Sequence, residues 1–183
     1  MSEFLQHRFE QSARLPAAQN EVFDFLDDFE QLGAHMMHAT WMMAGSSMRY
    51  EFDSTRGREV GGVVKLIGSF LGFRLEINEQ ITERTPPLEK SWRTFGGLRM
   101  VIMSAYHMGF SVEPEREGSR LTFFIEYALP ARGFGRHLGK MFAGAYARWC
   151  VRSMVAAAIR RFGGISTGSA TAADTPRYGS ISI

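Results

Sequence analysis

Between Met48 and Leu129 the apolar residues recur at every second position, the period of a strand with one face buried and the other wet. Met48, Tyr50 and Phe52 share one face, as do Phe73, Leu75, Ile77, Glu79 and Ile81. The same parity joins Met100, Ile102, Ser104, Tyr106, Met108, Phe110 and Val112, and then Leu121, Phe123, Ile125, Tyr127 and Leu129. Turn residues separate the runs at Thr55-Arg56-Gly57, Gly68 to Gly72, Pro86-Pro87, Gly96-Gly97 and Pro114 to Gly118. With a first strand from Gln6 to Leu15, this predicts about seven antiparallel strands in a meander. Gly61, Gly62, Gly68 and Gly109 permit the bulges that curve such a sheet and give it a concave face.

Two segments break the period of two. Val22, Phe25, Leu26 and Phe29 lie on one helical face between Pro16 and Gly33, so Ala17 to Leu32 predicts one broken helix or two short ones. From Gly135 to Phe162 the chain has no proline, and Leu138, Phe142, Ala145, Trp149 and Ala156 recur at helical steps. That stripe predicts a helix roughly 40 Å long. An antiparallel sheet with one apolar face needs a cover, and this helix has the length for it. The expected class is α+β: a curved sheet wrapped around a long C-terminal helix, with two short helices after the first strand. Residues 1–162 then form one domain, and the small, polar stretch 163–183 reads as a disordered tail.

Composition sharpens this little. Hydrophobic residues make up 45% and aromatics 13% of 183 residues, enough for one core. A net charge of +2 gives no electrostatic case for nucleic acid. The single cysteine, Cys150, falls in the apolar helix, which excludes an internal disulfide and a cysteine-rich zinc site. Neither a signal-peptide core nor a run of about 20 apolar residues is present, so a reducing, cytoplasmic setting is expected.

The order of elements resembles the helix-grip fold of the START and Bet v 1-like (SRPBCC) superfamily, and within it the bacterial polyketide cyclase/dehydrase and lipid-transport group. The residues that carry the resemblance are LPAAQNEVFDFLDD, ITERTPPLEKSW, YHMGFSVEPEREGSRLTFFIEYALP and the closing helix, over about Leu5 to Phe162. The resemblance implies a deep, largely apolar cavity between sheet and helix that holds a small hydrophobic molecule; it brings no catalytic motif and no cofactor.

Polar groups on apolar strand faces are the informative anomalies, because a buried polar atom needs a partner or a ligand. Glu79 has the parity of Leu75, Ile77 and Ile81, which aims its carboxylate inward unless the strand frays before Pro86. It is the clearest candidate for acid-base chemistry, with a pocket tyrosine as the alternative. Tyr50, Tyr106 and Tyr127 also point inward and could orient a ligand oxygen. With them, Phe52, Leu75, Ile77, Met100, Ile102, Phe123, Leu138, Phe142 and Trp149 are the expected ligand lining.

Other polar residues carry less. His107 has the outward parity, and Arg93 and Arg99 oppose the apolar faces. His35 and His38 stand three apart without a third ligand, so no metal is expected. The cluster Met36, Met37, Trp41, Met42, Met43 and Met48 suits either an adaptable pocket mouth or ordinary core. Arg136, His137, Lys140, Arg148, Arg152, Arg160 and Arg161, beside the Phe70-Leu71 turn, suit peripheral contact with an anionic membrane or simply a solvated helix face.

Three functions follow. The first is binding or transport of a lipid, quinone or polyketide-like ring system. The second is an aromatase/cyclase in which Glu79 or a pocket tyrosine moves protons, and the third an interaction module of the chaperone-activator kind. Glycines 133 to 144 suggest that this end of the helix, facing the Phe70-Leu71 turn, is a gate and the Trp149 end its hinge. Oligomeric state leaves no mark on the pattern.

Overall fold

A computed structural model describes residues 5–32, 48–70, 73–96 and 102–171. The alternating runs become strands: β1 (His7–Leu15), β2 (Met48–Phe52), β3 (Val63–Phe70), β4 (Phe73–Thr85), β5 (Glu89–Thr94), β6 (Ala105–Glu115) and β7 (Gly118–Ala128). All pair antiparallel in the order β2-β3-β4-β5-β6-β7-β1, so β1 closes the meander against β7, with Gln11 opposite Phe123. Alternation places Leu75, Ile77, Glu79 and Ile81 of β4 and Tyr106, Met108, Phe110 and Val112 of β6 on the same buried face. A register shift between Ile81 and Glu83 lets β4 change twist as it leaves β5.

The helical insert is α1 (Gln19–Asp27) followed by α2 (Phe29–Leu32). Glu21 accepts a hydrogen bond from the Ala18 N–H at 3.1 Å and so caps α1. Asp28 then ends α1 and starts α2, its Oδ1 accepting from the Glu30 N–H at 2.9 Å. Phe23 is fully buried where the pattern favours Phe25, and Phe25 instead meets Phe162 edge-on at 5.5 Å.

The long helix α3 (Phe134–Phe162) packs on β1 and β7. Its buried stripe differs from the expected one. Ala143, Ala147, Cys150, Val151, Met154, Val155 and Ala158 face the sheet, whereas Phe142 is 49% exposed and Ala145 is exposed. Small residues won much of the inner face because the helix lies close to the strands, and Phe142 was displaced outward while Tyr146 stays on the inner side. Gly139 makes the same point, since a Cβ there would stand 2.7 Å from the Ile102 carbonyl oxygen. Glycine in this half of the helix serves close contact, which the reading of its glycines as a sign of looseness does not anticipate.

A second difference follows the helix. Gly163 turns the chain at φ +74°, and residues Ile165–Thr171, expected to be disordered, form β8 antiparallel to β1. Its residues are too small and polar to announce a strand, but β1 offers it an open edge to pair with.

Candidate functional site

The interior between sheet and α3 is apolar except around one carboxyl. β4 carries Glu79 inward, 4% exposed, because its neighbours of like parity, Ile77 and Ile81, are core residues. From β6 the Tyr106 hydroxyl donates a hydrogen bond to Glu79 Oε1, and Trp92 of β5 also hydrogen-bonds the carboxyl. Phe29, Tyr50, Leu66, Ile77, Met103 and Met108 continue the lining, and Tyr146, Cys150 and Met154 bring in α3. Burial pushes the Glu79 carboxyl up to about 7, against the hydrogen bonds from Tyr106 and Trp92 and the more distant charge of Lys90. Burial likewise raises the Tyr50, Tyr106 and Tyr146 hydroxyls and pushes the Cys150 thiol up to about 12. Glu79 is thus the group there able to gain or lose a proton near neutral pH, while the tyrosines and cysteine stay protonated.

The enclosed space is small, about 30 Å³, room for about one water molecule. The deep cavity expected from the resemblance is therefore nearly filled by its own side chains.

The expected lining residues divide. Tyr50, Ile77, Glu79 and Tyr106 meet around this space, with Phe52 stacked on Tyr50 at 5.7 Å. Leu75, Ile102 and Phe123 are buried in the core away from it. Tyr127 stacks on His7 at 5.0 Å, and Trp149 leans on Tyr146 at 5.8 Å. Leu138 is half-buried and Phe142 faces outward. Met100 lies outside the described residues, as do Arg99, His35, His38, the 36–43 methionine cluster and Leu71 of the proposed gate contact. His107 stands on the convex face, its Nδ1 3.3 Å from Glu126. Among the described residues no three metal-ligating side chains cluster.

A second buried polar group escaped the sequence reading. At the end of α1, Asp27 accepts a hydrogen bond from Lys90 Nζ at 2.7 Å and two from Arg84 at 3.1 and 2.9 Å. Lys90 has no exposed side chain, donates also to the Asp27 carbonyl, and lies 4.4 Å over the Phe29 ring. Burial pushes the Asp27 carboxyl up, but the bonds from Arg84 and Lys90 outweigh it and hold it below the ordinary value. Lys90 shares the inward parity of Trp92, the signal that could have found it.

This architecture matches many solved structures. TTHA0849 from Thermus thermophilus aligns with a TM-score of 0.60 at 18% identity, over 84% of this chain and 95% of that one. Mll3558 from Rhizobium loti gives 0.56 at 17%, covering 82% and 95%, and the structure of Ara h 8.0201 gives 0.56 at 13%, covering 84% and 98%. At these identities the likeness concerns fold alone. In sequence, residues 6–162 match the family described as polyketide cyclase / dehydrase and lipid transport. The chain belongs to that family. No protein of curated function matches it in sequence. Membership of the polyketide cyclase / dehydrase and lipid transport family, with the Bet v 1-like sheet and helix, supports a general role in binding hydrophobic ligands. No described helix of this family member is long and apolar enough to cross a membrane.

Proposed function

We propose that the protein binds a hydrophobic small molecule, a lipid, quinone or polyketide-like ring system, and holds one of its oxygen atoms at Glu79. The observation that carries this reading is Glu79 itself: a carboxyl 4% exposed among apolar residues, with neutral hydrogen-bond partners and, among the described residues, no ion-pair partner. Such a group is costly to bury unless something uses it. Protonated, it donates to a carbonyl or ether; ionised, it accepts from a hydroxyl. Ligand pockets span roughly 300–1,000 Å³, so a ligand enters only as the interior opens from its 30 Å³. Met103, Met108 and Met154 supply unbranched lining that can swing aside.

Mass spectrometry of protein purified under native conditions tests this reading. A bound apolar molecule that is lost from Glu79→Leu is the expected outcome. Wild-type protein that carries no molecule, and whose tryptophan fluorescence, from Trp41, Trp92 and Trp149 together, ignores added fatty acids, quinones and polycyclic ketones, would sink it.

A second reading is a cyclase in which Glu79 moves protons on the bound substrate, favoured by a carboxyl that titrates near 7 beside Tyr106. Glu79→Gln would then abolish turnover of a poly-β-ketone while leaving its binding within about tenfold. The smallness of the interior favours a third, the interaction module. An unchanged affinity for every ligand in wild-type and Glu79→Leu protein would point to it.

A further inference from the structure

The helix α3 has two faces of opposite character, an inner one that is buried and an outer one rich in cations. Over 29 residues it contains Arg136, Lys140, Arg148, Arg152, Arg160 and Arg161 and no aspartate or glutamate. On the sheet most cations find carboxylates: Arg8 meets Glu10 and Glu126, Lys65 meets Glu76, and Arg120 meets Glu115. None of the six on α3 has a carboxylate within ion-pair distance among the described residues. Amid these charges Met141 is 69% and Phe142 49% exposed, adjacent large apolar side chains in the N-terminal half of the helix. Arg136 and Lys140 precede them, and Arg148 stands two turns beyond Met141.

We infer that the N-terminal half of α3 docks on an anionic lipid bilayer, with Met141 and Phe142 entering the acyl boundary and Arg136, Lys140 and Arg148 lying among the anionic headgroups. An interfacial helix needs this combination of an apolar wedge and uncompensated cations. Nucleic acid would use the cations and leave the wedge in water. A protein partner would need a surface that is both apolar and acidic. The bilayer uses both, and it is where hydrophobic cargo resides.

The placement has a consequence for the interior. The same helix supplies Tyr146, Cys150 and Met154 to the space around Glu79, so the cover of that space is the element seated on the membrane. The docking itself does not depend on the protein carrying a ligand.

Vesicle sedimentation with the full chain, free of added ligand, tests the inference. Vesicles of phosphatidylcholine with one third phosphatidylglycerol should bind, pure phosphatidylcholine vesicles should not, and raising salt to about 0.5 M should release the protein as screening shortens to a few ångströms. Replacing Lys140 and Arg148 together by Gln should weaken binding about 30-fold, near 1 kcal/mol for each charge. Met141→Ser with Phe142→Ser should weaken it at least about tenfold. These residues are exposed, and an unchanged near-ultraviolet circular dichroism spectrum checks that the variants fold. Equal binding to neutral and anionic vesicles, or none to either, would overturn the inference. So would anionic binding that the Met141/Phe142 variant retains in full, since that behaviour marks a general affinity for polyanions.

Discussion

Asp27 and Glu79 are both buried carboxyls, 5% and 4% exposed. Asp27 is surrounded by cations: Lys90 and Arg84 bond it directly and Arg58 approaches to 3.9 Å. Among the described residues the donors to Glu79 are neutral, Tyr106 and Trp92, and Lys90 acts on it only as a more distant charge. The first arrangement compensates charge and ties the end of α1 to β4 and β5. The second leaves a carboxyl whose ionisation the surroundings oppose. A compensated buried charge is what a fold keeps for position; an uncompensated one beside open space is what a site keeps for use.

The two groups should answer pH with opposite signs. The folded Asp27 value lies below its ordinary 3.8, so its stabilisation is present above that pH and is lost as pH falls through the folded value. The folded Glu79 value is raised from 4.5 to about 7. Its proton is held more tightly in the folded chain, so its contribution is complete below pH 4.5 and is lost as pH rises from there to about 7.

The largest test of the contrast is Asp27→Ala, which strands Lys90 in the core and should cost about 3–5 kcal/mol in urea unfolding. Asp27→Leu combined with Lys90→Met should recover most of that loss; no recovery would mean the pair does more than compensate charge. Next, Glu79→Gln should remove about 3 kcal/mol of pH dependence between pH 4.5 and 7, seen as a flatter stability profile. An unaltered profile would place the titration elsewhere. Tyr106→Phe deletes one donor to Glu79 and should cost about 1 kcal/mol while raising the Glu79 midpoint further, measurable by carboxyl NMR titration. The smallest effect belongs to Arg93→Ala on the exposed face of β5, which should change stability by no more than about 0.5 kcal/mol.

The parts of this arrangement differ in how visible they are along the chain. Strand parity locates Glu79 because the burial of Leu75, Ile77 and Ile81 fixes which way the intervening residues point. Two short helices and a seven-strand meander follow from the same rule and from Pro and Gly punctuation. The Asp27–Lys90 pair is hidden because its members lie 63 positions apart and each, taken singly, resembles a surface charge. The facing of α3 is easily misjudged because large apolar residues draw the eye, whereas a helix seated close to a sheet selects alanine and glycine for its inner side. Strand β8 goes unseen because its residues have no pattern; its order comes from the edge of β1 alone.

The narrowness of the interior also governs timing. If a ligand larger than 30 Å³ enters only after the cover has parted, the observed uptake rate rises with ligand concentration and then levels off at the opening rate. Apparent affinity is lowered by the fraction of molecules that are open at any moment. Rapid mixing that follows tryptophan emission in a variant keeping Trp92 alone, with Trp41 and Trp149 replaced by Phe, would reveal that ceiling, and a contact that props α3 away from β1 and β7 would lift it.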